Sequence, residues 1–208
     1  MDPHHLAWDH EYIRRGRLWG GAPAELPDLP AGSAVLELGC GDGKTLSSMH
    51  TRPWVIYAID SSIEAINLSA LVPGMRRSVS FVKADAICLP FAGSSFDAVF
   101  AHHIIGHAPL AGRMRMAIEA ARVLRPGGTL FFLDFEQGDM RAVAGERIEP
   151  DTYLRGNGII THYFSIDELD SFFLGLEVVS VSLKRREIKV RGRPLVRSEL
   201  QAVLRKPM

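Results

Sequence analysis

The chain has 208 residues, 24 Lys and Arg balanced by 24 Asp and Glu, and a hydrophobic fraction of 47%. This composition excludes disordered and fibrous classes, and the neutral balance gives no overall pull toward nucleic acid or anionic lipid. No apolar run approaches the roughly 20 residues of a membrane span, the polar start MDPHHLAWDHEY is unlike a signal peptide, and Cys40 and Cys88 lack disulfide or metal-site spacing, so one cytoplasmic domain with reduced cysteines is expected.

A polar, aromatic-bearing leader (1–20) runs into the irregular connector GGAPAELPDLPAGS, which sets a leader of 1–33 apart from a folded unit of 34–208. AVLELG (34–39) reads as a core strand followed by a helix from about Lys44. WVIYAID (54–60) precedes the helix SIEAINLSAL, with Ser61 or Ser62 as N-cap. VSFVKAD (79–85) and FDAVFAH (96–102) are strands. AGRMRMAIEAARVL is a helix stopped by Arg125-Pro126-Gly127-Gly128, and GTLFFLDF (128–135) is the fifth strand. A less regular insertion, about 136–164, precedes SIDELDSFFLGL, where Ser165 and Glu168 have capping-box spacing. The last two strands are joined by a basic turn with no room for a crossover helix, so they pair antiparallel. Apolar runs alternating with helices define an α/β, Rossmann-like doubly wound fold, a mainly parallel seven-stranded sheet with an antiparallel last strand.

After the first strand, ELGCGDGKT places Gly39, Gly41 and Gly43 in a tight loop. The dinucleotide fingerprint fails because its third glycine position is Lys44, and the phosphate loop fails because its first glycine position is Leu38. What stands, Glu37-x-Gly39-x-Gly41-x-Gly43 with Asp60 ending the second strand and Asp85-Ala86 following the third, resembles class I S-adenosylmethionine-dependent methyltransferases. LPF with Ser95-Phe96-Asp97, and VLRPGGTLFFLDF, are similar to the menaquinone/ubiquinone-biosynthesis type. The leader WDHEYIRRGRLWGG is similar to thiopurine and tellurite methyltransferases.

The resemblance implies S-adenosyl-L-methionine as cofactor, S-adenosyl-L-homocysteine as product, and a leader that covers the cofactor. It implies that the loop and the following helix N-terminus receive the methionine carboxylate and that Glu37 reaches its amino group. Asp60, beside Ser61, would accept the ribose hydroxyls. Asp85 and the Ala86 N–H would meet the adenine, and Tyr12, Arg17 and Trp19 would close over the site.

AHHIIGH leaves the fourth strand next to the first, at the cofactor's methyl end. His102, His103 and His107 are therefore candidates for acceptor-site acid/base or hydrogen-bonding work. The competing readings are packing or rim residues, and a His103–His107 metal pair that lacks an acidic third ligand. His162 and Tyr163 either reach the acceptor or pack under the insertion, and Arg147 and Arg155 either bind an acidic acceptor or are solvated. The basic turn KRREIKVRGRP (184–194) reads as edge-strand protection rather than a nucleic-acid face. The function expected is methyl transfer to a small-molecule acceptor. The alternatives are a cofactor-binding regulatory protein without activity and a tRNA or RNA methyltransferase.

Overall fold

A computed structural model describes residues 3–18 and 25–208. The chain opens with helix α1 (Pro3–Arg15), then β1 (Ala34–Leu38), a one-turn α2 (Leu46–Met49), β2 (Val55–Asp60), α3 (Ile63–Ala70), α4 (Met75–Ser78), β3 (Val79–Lys83) and β4 (Phe96–His102). A 3-10 turn at Ile105–His107 leads to α5 (Leu110–Val123) and β5 (Leu124–Phe135), and an insertion carries β6 (Glu146–Glu149), β7 (Thr152–Leu154) and β8 (Ile160–His162). The chain closes with α6 (Leu169–Phe172), β9 (Glu177–Val190) and β10 (Arg193–Arg205).

Seven strands form one sheet in the order β3-β2-β1-β4-β5-β10-β9. β1 to β5 are parallel, and β10 is antiparallel to both β5 and β9. The expected fold class therefore holds. Successive β1 residues feed opposite faces: Leu36 and Leu38 enter one apolar cluster with Val99, Phe132 and Phe164, while Val35 enters another with Met49, Trp54 and Phe100. A sheet buried on both sides needs strands without polar alternation, and the sequence of β1, β2 and β4 provides them.

Two expectations change in detail. The helices expected from Lys44 and within SIDELDSFFLGL shrink to four residues each. Around α2, the run Thr45, Ser47 and Ser48 favours local side-chain bonding over helix, and Ser47 Oγ donates to the Gly43 carbonyl at 2.8 Å. Glu168 keeps half of a capping box by accepting the Ser165 N–H at 2.6 Å. The less regular insertion is a three-stranded antiparallel sheet, β6-β7-β8. Its strands of three or four residues are too short to show alternation, although Asn157-Gly158 between apolar flanks was a hairpin signal.

Candidate functional site

β1 lies between β2 and β4 in the sheet, so the chain leaves its C-terminal end on one side of a switch point and the end of β4 on the other. A cleft of about 240 Å³ opens there. Gly39, Gly41 and Gly43 turn the chain under it with φ of 61, 52 and 86°, in the left-handed region that glycine favours. A Cβ on Gly41 would lie 2.8 Å from the Tyr12 hydroxyl, and one on Gly43 2.6 Å from Ser69 Oγ. Gly43 is thus packed by Ser69 of α3, whereas Gly39 and Gly41 line the cleft with Tyr12 of α1 set against Gly41.

Glu37, at the end of β1, is 2% exposed and lines the cleft. Burial raises its pKa to about 8 against a hydrogen bond from Thr45, with Asp60 adding repulsion. Its Oε2 is buried without a hydrogen-bond partner among the described residues. A buried carboxylate oxygen left open toward a cleft fits a cationic donor such as an ammonium group. Asp60 Oδ2 accepts the Gly41 N–H at 2.9 Å and Oδ1 the Ser62 N–H at 2.9 Å, fixing the carboxylate between the glycine loop and α3. Ser62, not Ser61, caps α3 by accepting the Ala65 N–H; Ser61 lines the cleft. Asp85 accepts the Ile87 N–H at 3.0 Å, which holds Asp85 and Ala86 against the same cleft.

The structure separates the three histidines. His102 lines the cleft edge-on to Phe100, 5.5 Å between ring centres. Desolvation, with His103 and Lys184 adding repulsion, lowers its pKa to about 3, so it is neutral through the physiological range. His103 adopts φ 53° and sits between two carboxylates, Nε2 at 3.3 Å from Glu199 and Nδ1 at 3.9 Å from Asp134. Burial works against its charged form, but the two carboxylates outweigh burial and raise its pKa. Asp134 is fully buried and accepts the Gly106 and Phe135 N–H groups. His107 Nδ1 donates to the Ile160 carbonyl at 2.7 Å, because a carbonyl can only accept; in the neutral ring this makes Nε2 the acceptor nitrogen.

From α1, Trp8 meets the His107 ring edge-on at 4.9 Å, and Tyr12 is buried beside it. Asp9 accepts from Ser62 Oγ and Asp42 accepts the Leu18 N–H at 2.8 Å, so the leader is tied to α3 and the glycine loop. Arg17 is exposed and outside the cleft lining. Trp19 lies outside the described residues.

His162 and Tyr163 pack under the insertion. His162 bonds Thr152 and faces Glu168, and the Tyr163 hydroxyl donates to the Arg141 carbonyl at 2.8 Å. Arg155 is spent on Thr161, Tyr163 and the Arg141 carbonyl, and Arg147 is exposed on β6. The described residues contain no group of three or more potential metal ligands. Sequence reasoning missed Trp8, Phe135, Arg186, Arg197 and Glu199, all on the cleft wall. A Trp-Asp pair in the leader marked the first, whereas the other four are brought together only by the β5–β10–β9 register.

A switch-point cleft with a glycine loop, a buried acid with an open oxygen late in β1, an acid at the end of β2 and another just past β3 stands at the carboxyl edge of a methyltransferase-type sheet. Residues 36–132 match the family described as a methyltransferase domain, and this stretch is a class I S-adenosylmethionine-dependent methyltransferase domain. It is similar to the tRNA N(3)-cytidine methyltransferase METTL2 of Bos taurus, at 30% identity over 201 residues, which cover 88% of this chain and 53% of that protein. It is also similar to 27-O-demethylrifamycin SV methyltransferase of Amycolatopsis mediterranei, at 36% over 140 residues, covering 64% of this chain and 50% of that protein. A solved SAM-dependent methyltransferase from Methanosarcina mazei matches with a TM-score of 0.70 at 25% identity, covering 86% of this chain and 95% of the other. The chain spans about half the length of these two curated relatives.

Proposed function

We propose that the chain transfers the methyl group of S-adenosylmethionine to a small-molecule acceptor. The observation that carries this reading is the continuity of one cleft from the open oxygen of Glu37 to a recess walled by Trp8, His103, His107 and Phe135. Glu37 would hold the methionine amino group, the 39–43 loop its carboxylate, Asp60 and Ser61 the ribose, and Asp85 with Ala86 the adenine. Trp8 and Tyr12, from the leader 1–33, would cover the site. The cofactor supplies an electrophilic methyl group on a sulfonium, whose carbon–sulfur bond breaks as the acceptor–carbon bond forms, the electron pair leaving with a neutral thioether.

The residues of the chain then contribute alignment, exclusion of water and, for a protonated acceptor, removal of one proton. His107 Nε2 has the tautomer that receives a proton, and the Ile160 carbonyl steadies the resulting imidazolium at Nδ1. His103 is engaged by Glu199 and Asp134 and acts as a fixed polar group. His102 is held neutral and lines the floor.

Binding of S-adenosylhomocysteine is measured by calorimetry, with a loss of about 100-fold expected in Asp60→Ala, the equivalent of two charge-assisted hydrogen bonds. Undiminished affinity would remove Asp60 from the site. Incubation of a metabolite extract and of bulk tRNA with methyl-labelled cofactor identifies the acceptor class. Label in a small molecule, diminished in His107→Ala, is the expected result. A second reading, tRNA methylation, draws on the similarity to the cytidine methyltransferase, and label confined to tRNA would put it in place of the first.

A further inference from the structure

β10 pairs with β5 only from Glu199 to Arg205, whereas its pairing with β9 continues to Arg193. The last stretch of the hairpin, 185–198, therefore runs on beyond Phe135, the C-terminal end of β5, with the Glu136 and Met140 N–H groups donating to its Ser198 and Val196 carbonyls. That is the side on which the cleft opens. Cross-strand partners share a face and the faces alternate, so Lys184–Glu199, Arg186–Arg197 and Ile188–Leu195 form one side of the ribbon. This side is the one turned to the cleft, because Arg186, Arg197 and Glu199 all line it.

Arg186 and Arg197 thus stand directly opposite each other, an arrangement that repulsion disfavours. The nearby carboxylates are already committed. Asp139 takes Arg197 at 2.9 Å and Arg141 at 2.9 Å, and Glu199 takes His103 at 3.3 Å and Arg197 at 4.0 Å. Arg186 has no carboxylate at ion-pair distance among the described residues. Below the pair, the Phe135 ring carries the Arg141 guanidinium at 3.9 Å and that of Arg197 at 5.7 Å, which turns an aromatic wall of the recess electropositive.

We propose that Arg186 and Arg197 form the specificity subsite for an oxyanion, a carboxylate or phosphate, on the methyl acceptor. The acceptor's anionic group bridges the two guanidiniums across the strands, while Phe135, covered by Arg141 and His103, supports the wall behind them. The inference rests on the methyltransferase reading and names the acceptor's chemistry. It also reassigns part of the basic hairpin: Lys189, on the opposite side, keeps the edge-protecting role, whereas Arg186 recognises substrate.

The test is calorimetric titration of the full chain, with and without saturating S-adenosylhomocysteine, at low ionic strength. Phenyl phosphate and benzoate are the anionic probes and benzyl alcohol the neutral one. Saturable binding of at least one anion, about tenfold or more tighter than the alcohol, is expected. Arg186→Glu should reduce it about tenfold or more, whereas the charge-matched Lys189→Glu should stay within about twofold. Which anion binds more tightly separates phosphate from carboxylate.

Equal losses in the two variants would show only a diffuse field and overturn the subsite, as would equal binding of the neutral probe. Failure of both anions to bind, with a tRNA transcript bound and weakened by either variant, would replace it with a nucleic-acid face. Absence of S-adenosylhomocysteine binding would instead defeat the methyltransferase reading, and the titration without cofactor still judges the anion site by itself.

Discussion

With the cofactor's amino group on Oε2, as proposed, Glu37 couples cofactor binding to pH. Its carboxyl is pushed up to about 8 by burial, so at neutral pH the cleft contains mostly the protonated acid. An ammonium group placed on Oε2 favours the carboxylate, so binding below pH 8 releases a proton. Affinity for S-adenosylhomocysteine is expected to rise from pH 6 to pH 8 in the native chain and to stay flat in Glu37→Gln, the gap reaching about tenfold at the upper end. Calorimetry in buffers of different ionisation enthalpy would register the released proton, and parallel profiles would remove Glu37 from contact with the amine.

His103 gives the opposite sign. Its folded pKa lies above the ordinary value of 6.5, so its ion pairs stabilise the fold fully below that value and are lost as pH rises through the raised pKa. The melting-temperature difference between the native chain and His103→Gln should be largest near pH 6 and shrink toward pH 9. A constant difference would show that packing on Phe135, 4.5 Å away, is all that holds the ring. The placing of Glu37, Asp60 and Asp85 at or near the ends of their strands was legible in the sequence because strand ends are local. The unequal fates of His102, His103 and His107 were not, since Asp134, Glu199 and the Ile160 carbonyl reach them from far along the chain, the last from 53 residues away.

At the scale of elements, the insertion is tied to the site through Arg113 on α5. This residue is 3% exposed, and its Nη1 donates to the Ala108 carbonyl at 2.8 Å, to Glu149 at 3.2 Å and to Thr152 Oγ1 at 3.3 Å. Glu149 in turn accepts the Leu110 N–H at the start of α5. These bonds seat β6–β8 against the 3-10 turn, and β8 then offers the Ile160 carbonyl to His107. Arg113→Met keeps much of the volume and strands the acceptors, so a cost of about 1–3 kcal/mol is expected, which lowers the melting temperature by roughly 3–10 °C. Hydrogen exchange should accelerate through 146–162 and leave β1 and β4 protected; acceleration spread evenly would mean that the insertion is not a separate unit of stability. The parallel strands were readable from their apolar runs. The β9–β10 ribbon was readable as a hairpin, but its facing toward the cleft depends on where the β5 pairing ends, which no local pattern encodes.

Across the whole molecule, stability and cleft closure are borne by different parts of the chain. Among the described residues, the two apolar clusters that cover the sheet include none from α1. The helix is attached instead through Asp9 to Ser62, through the Leu18 N–H to Asp42, and through Trp8 and Tyr12 on the cleft wall. Removing residues 1–24 should therefore leave a cooperatively unfolding sheet domain, since the buried side chains it takes away, Glu11 and Tyr12, belong to neither cluster. The same truncation strips the wall over His107 and Gly41 and admits water to the recess, and loss of enclosure and of aromatic contact should weaken S-adenosylhomocysteine by about tenfold or more. Trp8→Ala in the intact chain should reproduce a part of that loss with little change in melting temperature. If truncation instead abolished cooperative unfolding, α1 would be part of the core. If it left both stability and affinity intact, the leader would have no role at the cleft.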